Sequence, residues 1–209
     1  MGEIRFEQHL KVKGLIGYFG LENWWLDEFN EDERNYIKTK INNSDNSLTS
    51  GDISFTNETV IGLLGTLACW FIKPEDRNIA HRILNKALEF STNAPVLDVY
   101  FLYNQMIMTY YKDRNISEYM DKTIDACRKQ IDLAPDAKKA FKKEYRNSPL
   151  PAHRGYKQLS IILEKIGCYQ EAIKLLKQAD IQGWAGDWSN RIERCNKKMK
   201  KIDKNSFDY

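Results

Sequence analysis

Apolar and polar positions follow a helical period through residues 153–186. One helix face comes first, at the spacing i, i+3, i+4, i+7: Tyr156, Leu159, Ser160 and Leu163. Gly167 then interrupts the pattern, as a glycine just past the end of a helix does. A second face comes next: Ala172, Leu176 and Ala179. Because its small residues let two helices approach closely, the segment predicts a helical hairpin.

This hairpin resembles a tetratricopeptide repeat. The matching positions, in register with that repeat, are Tyr156, Leu159, Ser160, Leu163, Gly167, Tyr169, Ala172, Leu176 and Ala179. The match extends over about 34 residues, which is the period of the repeat. Trp184 departs from the pattern, since the repeat usually has proline there. The closing part of the chain also resembles the ends of uncharacterised bacterial helical-repeat proteins, a resemblance that implies no activity.

The same template predicts two earlier hairpins. The first has these inward positions: Leu64, Leu67, Ala68 and Phe71, then Ala80, Leu84 and Ala87. The second, more degenerate, has these: Tyr103, Met106, Ile107 and Tyr110, then Thr123, Cys127 and Gln130, with Pro135 at the terminal proline position. A lysine-rich helix over residues 136–147 is inserted before the third, with its apolar side at Ala137, Ala140, Phe141 and Tyr145.

Both ends of the chain add helices to this array. A last helix has one apolar face, formed by Trp188, Ile192, Cys195 and Met199, and is predicted to cap the third hairpin. Near the start, Asn30 and Glu33 form a capping box for a helix through about Ile41. Residues 42–52 predict a loop, and residues 1–21 are assigned no type. The predicted fold is therefore all-α: an acidic N-terminal segment over residues 1–55 packs on about three tetratricopeptide-like hairpins with a capping helix over residues 56–209.

Tryptophan and cysteine positions predict burial. We expect both Trp24 and Trp25 to be buried, because tryptophan is buried on average. Three of the four cysteines fall on predicted apolar helix faces, where cysteine behaves as a small hydrophobic residue. They are Cys69, Cys127 and Cys195.

Composition and charge refine this picture. The chain is 42% hydrophobic and 29% charged, which argues against global disorder. Residues 1–60 hold 6 Lys and Arg against 11 Asp and Glu, whereas residues 138–209 hold 17 against 8. No apolar run reaches the roughly 18 residues of a membrane span, and the N-terminus has no signal-peptide core. We therefore expect a cytoplasmic protein with no membrane partner.

Motifs for catalysis or cofactor binding are not legible. The three histidines stand far apart in sequence, without metal-ligand spacing: His9, His81 and His153. The chain contains no phosphate-binding glycine loop and no nucleophile elbow. The sequence thus predicts a binding protein, without cofactor or metal, rather than an enzyme.

The resemblance implies where such a protein binds, because the first helices of tetratricopeptide hairpins line a concave groove. By register, the groove positions are Gly62, Gly65, Cys69, Ile72 and Lys73, then Phe101, Asn104, Met108, Tyr111 and Lys112, then Arg154, Lys157, Ile161, Glu164 and Lys165. Within this mixture the expected ligand-binding residues are Asn104, Tyr111, Lys112, Arg154, Lys157 and Lys165. Cations and amides bind carboxylates while tyrosine packs against side-chain stems, so the expected partner is a protein or an acidic peptide.

Three other interpretations remain open. The same positions fit ordinary solvated helix faces, or a groove already filled by the acidic residues 1–60. The basic C-terminal half also fits a nucleic-acid-associated regulator, although no recognition motif accompanies it.

Overall fold

The computed structural model describes residues 12–41, 47–146 and 148–207, with the side chains of the last helix as far as Lys201. The part of the sequence before residue 12, and the first part of the predicted loop, residues 42–46, lie outside the described residues. The chain divides between Leu63 and Leu64 into two compact units, later than the boundary predicted after residue 55.

The first unit contains three helices and the start of a fourth: α1 (Gly14–Tyr18), α2 (Glu22–Glu28), α3 (Glu31–Ile41) and α4 (Val60–Ala68). The predicted capping box is confirmed. The backbone N–H of Glu33 donates to Oδ1 of Asn30 at 2.9 Å, and the N–H of Asn30 donates to Oε2 of Glu33 at 3.0 Å. Satisfying these two donors fixes where α3 begins.

The predicted burial of Trp24 and Trp25 is confirmed for one of the two. Trp25 is buried, but Trp24 is partly exposed and lies edge-on to Phe29 with ring centroids 5.4 Å apart. Side chains of consecutive helical residues point about 100° apart, so both indoles reach the buried ring of Phe29 but only that of Trp25 is enclosed.

The second unit holds the end of α4 and seven further helices: α5 (Arg77–Glu89), α6 (Val96–Tyr110), α7 (Ser117–Asp132), α8 (Ala134–Glu144), α9 (Arg154–Lys165), α10 (Tyr169–Gln182) and α11 (Trp188–Phe207). In the described ranges the secondary structure is helical throughout, apart from a single parallel bridge between Ala152 and Ala185. The predicted all-α class is therefore confirmed.

The helices of the second unit pack against one another in chain order, except that α8 is not part of the series. Helix α5 packs against α6, α6 against α7, α7 against α9, α9 against α10, and α10 against α11. Helix α6 also contacts α9 directly, and α8 rests on α6. The chain thus forms the pairs α6/α7 and α9/α10. The second helix of each pair also packs against a later helix, which is α9 for α7 and α11 for α10, and α7 contacts α8 as well.

The last helix covers α10, as the sequence predicts. Cys195 is buried with Ala172 and Ile173, and four partly buried residues pack around them: Leu163, Tyr169, Ile192 and Met199. The predicted burial of Trp188 is confirmed at 3% exposure, and its indole N–H donates to the carbonyl of Trp184 at 2.7 Å.

Two local predictions are wrong. Cys69 is exposed, because α4 ends at Ala68 and the thiol lies in the following turn, where it donates to the carbonyl of Gly65. The inserted helix α8 begins at Ala134, earlier than predicted, and its last apolar residue, Tyr145, is beyond its end and half-exposed. Pro135 stands in the first turn of α8, where proline costs no helical hydrogen bond.

Candidate binding face

Helices α6 and α9 bring together four of the predicted ligand-binding residues. The Nε of Arg154 donates to Oδ1 of Asn104 at 3.0 Å. Further along the helices, Nζ of Lys165 lies 3.0 Å from the hydroxyl of Tyr111 and 5.7 Å from the centroid of its ring. Cations of α9 therefore meet an amide of α6 and the aromatic residue that follows α6, at two points about three turns of α9 apart.

The other two predicted residues lie on the borders of this surface. Lys157 is exposed on α9, one turn after Arg154. Lys112 is exposed just after α6 and donates to the carbonyl of Ile72 at 3.3 Å, so part of its hydrogen-bonding capacity is used within the protein. We call the surface formed by these six residues the basic face: Asn104, Tyr111, Lys112, Arg154, Lys157 and Lys165.

Two groove positions do not line an open surface. Gly65 is buried, and Glu164 is 8% exposed. Glu164 accepts hydrogen bonds from Arg194 and from Nζ of Lys198, the latter at 2.7 Å, so α11 lies against this side of α9. Burial alone would raise the pKa of Glu164, but the hydrogen bonds from the two cations outweigh it and lower that pKa below its usual range.

Helix α11 adds cations that the register of the repeat does not assign to the groove. Arg191, Arg194 and Lys198 recur at i, i+3 and i+7 on the side of α11 that reaches α9. The signal is present in that spacing, next to the apolar face of the same helix. The prediction of a cap rests on the apolar face of α11 alone and says nothing of its polar face.

A cavity of about 150 Å³ lies at the end of the basic face where α9 and α11 begin. It is lined by Asn104, Ala152, His153, Arg154, Lys157, Ala185, Gly186, Asp187, Trp188 and Arg191. Its shape results from the parallel bridge between Ala152 and Ala185, after which each bridged segment turns directly into a helix. We call it the α9/α11 cavity.

Gly186 allows the wall of this cavity to close. A Cβ added at Gly186 would lie 2.3 Å from the indole of Trp188, which is far inside van der Waals contact. Glycine is therefore required for the indole to fold back against the chain.

His153 lines the same cavity and is fully buried. Its Nδ1 accepts from the backbone N–H of Tyr156 at 3.4 Å, which assigns the proton of the neutral ring to Nε2. Within the described part of the chain, Nε2 has no hydrogen-bond partner. Burial lowers the pKa of His153 to about 4, so the imidazole is neutral at pH 7.

A larger cavity, of about 360 Å³, lies elsewhere, between α7, α9 and α10. Its floor is apolar, and its charged rim is balanced: Arg128, Asp132, Glu171 and Lys174. A balanced rim does not select an acidic ligand, so size alone does not make this cavity the better candidate.

Comparison with models of known protein families, with curated proteins and with solved structures finds no match to this chain. Among the described residues, no helix is both long and apolar enough to cross a membrane. The same residues contain no cluster of histidine, cysteine, aspartate and glutamate suited to a metal ion.

Proposed function

We propose that this protein is a helical-hairpin binding protein of the tetratricopeptide type, and that it binds an acidic segment of a protein partner along the basic face. The observation that carries the proposal is the contact of α9 with α6 through Arg154 and Asn104, and with the turn just after α6 through Lys165 and Tyr111. These residues were selected by register alone, and they are neighbours in space.

The packing order supports the hairpin part of the proposal. In a tetratricopeptide array each second helix packs between its own first helix and the next one. Helix α7 contacts both α6 and α9, and α10 contacts both α9 and α11. Helices α6, α9 and α11 then occupy the positions of first helices, and Arg154 and Lys157 of α9 line the same cavity as Arg191 of α11.

The charge of the basic face supports an acidic partner. Lys157 and Arg191 have no ion-pair partner among the described residues, and Arg154 is engaged by a neutral amide. A carboxylate that reaches these groups gains charge-assisted hydrogen bonds without displacing an internal carboxylate. Phe101, half-exposed on α6, offers apolar area for the stem of a bound side chain.

Panning a random peptide library on the purified protein tests the proposal. We expect enrichment of acidic sequences whose binding weakens as the salt concentration rises, because exposed charge pairs are screened. Binding should be abolished by the double substitution Arg154→Glu with Lys157→Glu. The matched control is Lys174→Glu with Lys177→Glu on α10, which makes the same charge change at the same spacing on exposed positions.

Other outcomes count against the proposal. Enriched peptides that are not acidic, or that bind the Arg154/Lys157 variant as well as the wild type, contradict it. If no peptide is enriched, the interpretation in which residues 1–60 fill the groove is favoured. If the protein instead retains nucleic acid through moderate salt during purification, the nucleic-acid alternative is favoured.

A further inference from the structure

The α9/α11 cavity concentrates positive potential in a confined space. Three cationic side chains line it, Arg154, Lys157 and Arg191, against one carboxylate, that of Asp187. Oδ1 of Asp187 accepts from the side-chain amide of Asn190 at 2.7 Å and so is partly satisfied on its own helix. The described residues provide no ion pair for any of the three cations. A net positive cavity without an internal counter-ion favours an anion.

Two helix starts add to this potential. Helix α9 begins at Arg154 and α11 at Trp188, and both residues line the cavity. The first backbone N–H groups of a helix have no acceptor within the helix, and the helix dipole places partial positive charge there. The parallel bridge between Ala152 and Ala185 sets the two starts side by side. In α9 the N–H groups of Gly155 and Tyr156 already donate to Gln130 and His153, so the donors left for the cavity are the N–H of Arg154 and those at the start of α11.

A buried donor provides an independent indication. His153 lines the cavity and is fully buried, and its Nε2 makes no hydrogen bond of normal geometry within the described chain, although the backbone of Gln130 is near enough to act on its pKa in the raising direction. A buried N–H without an acceptor is costly, and such groups in native proteins are usually satisfied by something. An oxyanion in the cavity is an acceptor of the right kind.

We infer that the α9/α11 cavity binds a phosphate group, held by Arg154, Lys157, Arg191, the backbone N–H of Arg154 and the N–H groups at the start of α11. The cavity has room for several water molecules, which is enough for one tetrahedral oxyanion and not for a polyanion. Phosphate suits this set better than a carboxylate, because its oxygens point in several directions and the donors approach from two helices. The inference goes beyond peptide binding, since a phosphate site can exist whether or not a peptide binds the basic face.

Titration of the isotope-labelled full chain with inorganic phosphate, followed by NMR, tests the site. The reference is sodium chloride at equal ionic strength. We expect saturable shifts of the backbone amides of Arg154, Trp188 and Ser189. Shifts that match those in chloride, or that fail to saturate and spread over the lysines of α8, overturn the inference.

Substitutions locate the binding. Arg191→Gln should weaken phosphate binding by about tenfold, because it removes a charge-assisted donor and keeps the helix. Asp187→Asn should strengthen binding, since it removes the one carboxylate of the cavity. Lys174→Gln on α10 is the matched control and should leave binding unchanged. An Arg191→Gln variant that binds phosphate as tightly as the wild type overturns the inference, as does weaker binding by Asp187→Asn.

A second titration identifies the source of the group. N-acetyl phosphoserine methylamide replaces inorganic phosphate under the same conditions. Equal or tighter binding of the ester assigns the site to a phosphorylated chain, and binding of the free anion alone assigns it to inorganic phosphate. Because neither probe is an acidic peptide, failure here leaves the peptide proposal standing, and failure of the peptide library leaves this inference standing.

Discussion

Gln130 and Gly155 are joined by a buried hydrogen bond, in which the backbone N–H of Gly155 donates to Oε1 of Gln130 at 2.7 Å. The Nε2 of the same glutamine donates to the carbonyl of Tyr100 at 3.0 Å. One fully buried side chain on α7 therefore links the start of α9 to α6. The two helices that form the basic face are positioned through this amide, behind the face itself.

The close approach of α7 and α9 leaves no room for a side chain at Gly155. A Cβ at this position would lie 2.8 Å from the carbonyl oxygen of Cys127 and 3.0 Å from Oε1 of Gln130. Alanine gains up to about 1 kcal/mol over glycine in a helix, but the clash is with backbone that cannot move alone. We expect Gly155→Ala to lower the free energy of unfolding by about 2 kcal/mol, measured by urea denaturation.

A second glycine provides the control for this prediction. Gly65 lies inside α4, and a Cβ there would meet nothing within 4 Å. Gly65→Ala should leave stability unchanged or raise it by up to about 1 kcal/mol. Equal effects of the two substitutions would show that the contact at Gly155 is not tight.

Two buried histidines make stability depend on pH. Burial is the main cause that lowers the pKa of His81 and of His153 to about 4, against an ordinary value of 6.5. The negative charge of Asp113 acts to raise the pKa of His81, and the positive charge of Arg77 acts to lower it. Between pH 4 and 6.5 the unfolded chain binds more protons than the folded one, so stability is complete above that window and declines as the pH falls through it.

The expected loss is measurable. Each histidine should contribute a decrease of about 2 kcal/mol between pH 7 and pH 5. Urea midpoints at the two pH values check this. His153→Gln should remove about half of the pH-dependent loss, and His81→Gln should remove a similar share. An identical pH dependence in His153→Gln and the wild type would contradict the assignment.

The carboxylate of Glu164 fixes α11 to α9. It is largely buried and receives hydrogen bonds from Arg194 and Lys198. Glu164→Gln should cost about 2 kcal/mol, because two cations lose their charged acceptor in a half-buried setting. Glu193→Gln breaks the pair of Glu193 with Lys197 on the exposed side of α11 and should have no measurable effect. Thermal unfolding followed by circular dichroism compares the two variants.

The indole of Trp188 closes the end of the second unit. It is 3% exposed and its N–H is satisfied by the carbonyl of Trp184. Trp188→Ala should lower the free energy of unfolding by about 3 kcal/mol or more, since it leaves a cavity the size of an indole. Gly186→Ala should reproduce part of this loss by pushing the indole out. If Trp188→Ala melts at the wild-type temperature, α11 does not cap the hairpin.

Helical periodicity predicted the helices of the second unit well because burial and spacing coincide there. Leu159, Ala172, Leu176 and Ala179 are all buried, as their register requires. The capping box at Asn30 was equally predictable because both of its hydrogen bonds are local. Residues 12–21 carry no such pattern. Helix α1 is held in part by long-range hydrogen bonds, such as that from the N–H of Leu15 to the carbonyl of Ser47 at 2.8 Å.

The candidate site was harder to predict because it depends on which helices become neighbours. The register of the repeat selected Arg154 and Asn104, which do meet. It also assigned Glu164 to an open groove, whereas α11 covers it. The α9/α11 cavity exists because residues distant in sequence, Ala152 and Ala185, form a bridge that no local pattern predicts.

The bridge between Ala152 and Ala185 also affects how the number of helical hairpins can change during evolution. Ala152 precedes the α9/α10 hairpin and Ala185 comes after it, and the two run parallel. The backbone thus leaves the hairpin beside the point where it entered and heading the same way. A whole hairpin can then be duplicated or deleted at this junction during evolution without redirecting the chain on either side. The junction is a natural place for relatives of this protein to differ in length.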